Sequence, residues 1–250
     1  MHKFNNPLHE ITLSDDGSFT AYSKEYDEHY HSTKDGALKE SLLKHVVPTM
    51  NEMRSKKEIN ILDICFGLGF NTLASLHYHK KYSSNQRLNI YSPELDAKLI
   101  ESLKEFSYPE VFDELRYIIE ELSANKSYSD KNFHIEIFVG DAREYIKRFR
   151  DKFDIVYQDA FSPKVNHTLW TKEYFKDITS SMKDDGILST YSTALTTRLA
   201  LYENGFNLYL NKQDGVRAAT IASKQNLKEF ELVDMEHKIK CNPDAKSLRD

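Results

Sequence analysis

Between residues 58 and 191 the chain alternates five apolar, β-favouring runs with stretches of helical period. The runs are Glu58–Ile64, Leu88–Tyr91, Phe133–Val139, Phe153–Gln158 and Gly186–Tyr191, and helical stretches cover Asn71–His79, Ala97–Phe106, Pro109–Ser123, Ala142–Arg150 and Thr171–Met182. A strand, a helix and another strand in the same sheet pair in parallel, because only a crossover returns the chain to the same edge. This alternation restricts the fold to a doubly wound α/β sheet. It ends differently: after a helix near Leu195–Asn204, Phe206–Asn211 and Val216–Ser223 stand only four residues apart, close enough for an antiparallel hairpin. The expectation is a mostly parallel, seven-stranded sheet over residues 58–223. An N-terminal extension, residues 1–57, reads as a hairpin around Asp15-Asp16-Gly17 followed by a helix over Ala37–Met50. Residues 127–131 read as a polar break, and residues 224–250 as a tail.

Composition narrows the setting. Mean hydropathy is −0.62, and no apolar run approaches the ~18 residues of a membrane helix. Met1–Glu10 is polar where a secretory signal is apolar, and only Cys65 and Cys241 occur, so a reducing, cytoplasmic setting is expected. The net charge of −5 is opposite to that of a dedicated nucleic-acid binder, so an RNA partner needs a local basic patch. Arg143, Lys147, Arg148, Arg150 and Lys152 form one such run, readable as a solvated helix face or as a phosphate contact. His29 with His31 and His77 with His79 lack a completing cysteine or carboxylate, and no metal is expected.

Chemistry concentrates where strands end. Asp63-Ile64-Cys65-Phe66-Gly67-Leu68-Gly69-Phe70-Asn71 joins the first core strand to a helix, and small residues there let backbone approach a ligand. Gly67 and Gly69 alone fit a tight turn equally well. Glu94 follows the second core strand, Asp141 the third and Asp159 the fourth. An acid after the second strand can accept from ribose hydroxyls, and one after the third from an exocyclic adenine amine. Each is also a candidate helix cap. Together, behind the turn, they outline one adenosine pocket. No full Gly-x-Gly-x-x-Gly is present, which suits a ligand without phosphates. Asp159-Ala160-Phe161-Ser162-Pro163 adds a carboxylate that can hold the N–H groups of an amine, with Phe161 as a stacking surface; the alternative makes Asp159 a helix cap and Phe161 core.

These motifs resemble the Rossmann-like S-adenosylmethionine methyltransferases, and within them the MnmC-type enzymes. The resemblance rests on the glycine turn with Asn71, on Glu94, Gly140-Asp141, Asp159–Pro163 with Leu169-Trp170-Thr171, Gly186–Ser192 and the Gly36–Glu40 stretch. It implies S-adenosylmethionine as cofactor, held by Asp63, Gly67, Gly69, Asn71, Glu94, Asp141 and Asp159. It implies catalytic roles for Asp159, Phe161 and Pro163, and as partner a tRNA whose wobble uridine carries an aminomethyl group on carbon 5. Departures from the family pattern are Asp63 and Cys65 in the turn, and Gly215-Val216-Arg217-Ala218 where the family carries a more basic stretch. No flavin oxidase half is expected, leaving methyl transfer as the only step. The rival readings are an aminopropyl transferase of the polyamine synthase type and a non-catalytic RNA-binding module of the same fold.

Overall fold

The computed structural model describes Phe4, residues 6–82 and residues 85–250. Its strands are β1 His9–Leu13, β2 Phe19–Ser23, β3 Glu28–His29, β4 Glu58–Ile64, β5 Arg87–Glu94, β6 Ser127–Ser129, β7 Phe133–Val139, β8 Phe153–Gln158, β9 Met182–Thr190, β10 Asn207–Asn211, β11 Ala219–Ser223 and β12 Glu231–Leu232. The α-helices are α1 Ala37–Glu40, α2 Val47–Glu52, α3 Phe70–Tyr82, α4 Ala97–Ser102, α5 Arg116–Asn125, α6 Ala142–Ile146, α7 Lys172–Ser181, α8 Leu195–Tyr202 and α9 Met235–Cys241.

The large sheet runs β12-β10-β11-β9-β8-β4-β5-β7-β6. Its middle, from β9 to β7, is parallel, and β11, β10 and β12 follow in antiparallel register. The expected seven strands therefore form the body, and two short edge strands enlarge it. One of these, β6, replaces the polar break expected at 127–131. Asp130 accepts the backbone N–H groups of Asn132 and Phe133, and this turn folds β6 back onto β7. Strands β4 and β8, and β9 from Gly186 onward, bury almost every side chain on both faces, as central parallel strands do.

Two cores flank the sheet. One gathers Ile59, Ile61, Phe70, Leu73, Ile90, Phe106 and Ile155, and the other Leu62, Ile64, Val156, Trp170, Phe175, Leu188 and Leu208. These alternate along the strands because successive side chains point to opposite faces. Chain order reverses at β4, which pairs with β5 on one side and β8 on the other. Ligands of such sheets bind in the crevice beyond the carboxyl ends at this switch point.

The extension is not a separate appendage. β1, β2 and β3 make a small antiparallel sheet. The helical run after it is continuous, as expected over Ala37–Met50, but its middle turn, Ser41–Val46, is a π-helix. Such turns are often found at functional sites. The helix expected to reach Arg150 stops at Ile146, and Asp151 adopts a left-handed φ of 45°. The tail returns to the molecule through β12 and through Ala245 and Leu248, which pack on the second core.

Candidate active site

A cavity of about 920 Å³ opens at the switch point. Its wall draws Cys65 from the end of β4, Glu94 and Asp96 from the end of β5, Gly140 and Asp141 after β7, and Asp159 and Phe161 after β8. Tyr26, Glu28, Tyr30, His31 and Glu40 of the extension close the other side, with Tyr191 and Arg217.

On the strand-end side, the turn is built around Glu94. One carboxylate oxygen accepts the Gly67 N–H at 2.8 Å and the other the Asp96 N–H at 2.9 Å. The Leu95 N–H also acts on this carboxylate, which leaves acceptor room for one ligand hydroxyl. Burial pushes the Glu94 carboxyl up, against those backbone donors. Gly67 has φ 54°, and a Cβ there would lie 2.9 Å from the Tyr30 ring, so both conformation and space require glycine. Asp141 caps α6 by accepting the Arg143 N–H at 2.7 Å, and it still borders the cavity; the cap and ligand roles coexist. An acid-lined crevice with backbone close by suits an uncharged adenosine joined to a sulfonium cation. The residues present fit S-adenosylmethionine, which supplies an electrophilic methyl group when bound.

Asp159 stands opposite. Its side chain is 9% exposed, and its Oδ2 accepts the Asn71 amide at 2.8 Å, while His45 Nε2 lies 3.5 Å from Oδ1. Burial raises the Asp159 carboxyl, but His45, His31 and the Asn71 amide outweigh it and hold the group well below the usual carboxylate range. Asp63 lies behind, bonded to Thr72 at 2.8 Å and near the same Asn71 amide. Burial pushes its carboxyl up to about 7. Asn71 thus bridges two carboxylates.

The loop after Asp159 is pinned three times. Tyr191 Oη donates to the Ala160 carbonyl at 3.0 Å, Trp170 Nε1 to the Phe161 carbonyl at 2.8 Å, and the Ser162 N–H to Glu28 at 2.9 Å. Asp159 caps no helix. The Phe161 ring is in the wall rather than the core, but Tyr26 already stacks on it, with centroids 4.7 Å apart, and Tyr30 leans against it.

The expected residues therefore divide. Glu94, Asp141, Asp159 and Phe161 border the cavity. Asp63, Gly67, Gly69 and Asn71 are outside its wall, Gly67 being bonded to Glu94 and Asn71 to Asp159 and Asp63, and Pro163 does not reach it. In the sequence His31 stands out only as half of the His29/His31 pair and Tyr191 only within Gly186–Ser192, while His45, Glu28, Tyr26 and Tyr30 belong to no motif. The one local signal was their density of aromatic and titratable types between Tyr26 and His45. The basic run is largely engaged: Arg143 pairs with Asp250, the Arg148 guanidinium lies 4.2 Å from the Phe138 ring centroid, and Lys152 lies 3.8 Å from that of Tyr91.

This sheet order, with its glycine turn and acids at successive strand ends, is that expected of an S-adenosylmethionine-dependent methyltransferase. Residues 109–226 match the profile of a family described as S-adenosyl-L-methionine-dependent methyltransferase. The structure is similar to MnmC2 from Aquifex aeolicus, with a TM-score of 0.83 and 32% identity, covering 98% of this chain and 81% of that one. The chain belongs to the MnmC methyltransferase family. An uncharacterised protein of Methanocaldococcus jannaschii is 32% identical over 86% of this chain and 60% of its own length. The tRNA 5-methylaminomethyl-2-thiouridine biosynthesis bifunctional protein MnmC of Leptospira interrogans is 25% identical over 76% of this chain. The chain spans 31% of the length of that protein.

Proposed function

We propose that this methyltransferase acts on the primary amine of a 5-aminomethyl(-2-thio)uridine at the wobble position of tRNA. The observation that carries the reading is Asp159: a carboxylate held ionised at the cavity wall, next to aromatic rings, with lone pairs available for N–H groups. An amine nucleophile must present its lone pair in line with the departing sulfur, and two accepted N–H bonds set that direction. The names of the bifunctional relatives supply the tRNA and the nucleoside. Glu94 and Asp141 hold the cofactor's adenosine in this reading, and Asp63 with Asn71 sets the position of Asp159.

The test is single-turnover transfer of labelled methyl to tRNA carrying the aminomethyl group, followed by mass spectrometry of its nucleosides. Asp159→Ala is expected to lower the rate at least ~100-fold, while the cofactor Kd stays within ~10-fold, or about 1.4 kcal/mol. Glu94→Ala is expected to show the converse, losing ~1–3 kcal/mol of cofactor binding. Wild-type transfer by the Asp159 variant removes Asp159 from the reaction.

A further inference from the structure

An amine arriving from neutral water carries a proton that must leave before nitrogen can attack, and Asp159 is held too acidic to keep it. The cavity wall contains a second group suited to that task. His31, just after β3, is 7% exposed and borders the same cavity as Asp159. Its backbone N–H donates to Thr20 Oγ1 at 3.2 Å, and its ring stands edge-on to Phe70 at 5.1 Å. Among the described residues Nδ1 is buried without a hydrogen-bond partner, and Glu40 Oε2 lies 3.9 Å from it. The charged and titratable groups facing the ring are Asp159 from the loop after β8, Glu40 from α1, His45 from the π-turn and Asp16 from the hairpin turn. Burial lowers the His31 pKa below its ordinary 6.5, against the pull of Asp159 and Glu40. The ring is therefore neutral at neutral pH, and with Nδ1 closed off by burial it is Nε2 that can face the cavity and accept a proton. The two carboxylates stand ready to stabilise it once protonated.

We propose that His31 is the general base that takes the proton from the acceptor ammonium, while Asp159 holds the remaining N–H groups. This rests on the amine-acceptor reading above. The proton passes from R–NH3⁺ to the imidazole, leaving the electron pair on nitrogen. The freed pair forms the new N–C bond as the methyl–sulfur bond breaks, its electrons leaving on sulfur. The product R–NH2⁺–CH3 keeps the positive charge, and His31 returns its proton to water through the cavity mouth.

His31→Gln tests this by single-turnover rate against pH, with cofactor calorimetry on the same preparation. At pH 7 the variant is expected to be slower by at least ~100-fold. Its rate is expected to rise about tenfold per pH unit and to meet that of the unmodified chain near ~10, where an alkylamine loses its proton unaided. Added imidazole is expected to restore His31→Ala. A measurement free of the reaction is NMR titration of the His31 ring without cofactor, expected below 6.5. A ring titrating above 7, parallel pH profiles, or a loss equal at every pH overturns the assignment of His31 alone. Failure of the unmodified, cofactor-bound chain to methylate this tRNA overturns the amine reading and His31 with it.

Discussion

Cys65 occupies a conformation that glycine would adopt at little cost, with φ 64° at the end of β4. A side chain in the left-handed region costs roughly 1–2 kcal/mol, and glycine loses roughly 0.5–1 kcal/mol in backbone entropy, so the strain wins narrowly. Cys65→Gly is expected to raise the melting temperature by ~2 °C in calorimetry. A lowered melting temperature would mean that thiol packing outweighs strain. Burial, with Glu94 and Asp159 close by, pushes the Cys65 thiol well up, so it is a poor nucleophile and serves as wall. The same neighbourhood shows why Asp159 resisted a one-residue reading. Its surroundings are set by the Asn71 amide and by the His45 and His31 rings, which come from distant parts of the chain, and no pattern around residue 159 announces them.

Among the elements, β8 shows how a strand can be anchored by one charge. Asp154 is fully buried at its start and accepts from Lys56 at 2.6 Å, Lys183 at 2.8 Å and the Asn60 N–H at 2.8 Å. It thereby ties the amino ends of β4, β8 and β9 together. Burial raises its carboxyl, but the two lysines outweigh that and the folded value lies below the unfolded one. A depressed carboxylate contributes stability that is complete above its unfolded pKa of ~3.9 and is lost as pH falls through the folded value. Asp154→Ala is expected to cost ~1–3 kcal/mol at pH 7, because Lys183 loses its counter-charge, the Asn60 N–H loses its acceptor and Lys56 is left with Asp185 alone. Urea unfolding at pH 7 and at about pH 3 measures this, and the gap between variant and wild type should narrow at the lower pH. Strand existence was legible from the apolar runs. The edge strand β6 was not, because Ser127-Tyr128-Ser129 carries no apolar alternation and is held by pairing with β7.

Across the whole molecule, the extension and the parallel sheet share one site. Glu28 holds Ser162, Tyr26 and Tyr30 cover Phe161, and Asp35 links the buried Lys44 to the exposed Arg217 at 3.1 Å. Glu28→Ala is expected to loosen residues 159–163 and slow methyl transfer ~10-fold or more, since small misplacements of reacting groups are costly. Cofactor affinity should change little, and hydrogen exchange in the loop should rise. Unchanged exchange there would show that Trp170 and Tyr191 suffice to hold it.

The order of the core elements, the parallel pairing and the acids at successive strand ends are readable from the chain, whereas the reversal at β4 appears only in the assembled sheet. They follow from local periodicity and from the short reach of crossover connections. The π-turn at Ser41–Val46, the pairing of Asn71 with both Asp63 and Asp159, and the arrival of His31 beside Asp159 belong to the tertiary structure alone. Those contacts join residues far apart in sequence, where no helix or strand period relates one side chain to another. Burial and mutual charge, which decide what these groups can do, exist only once packing has excluded water around them.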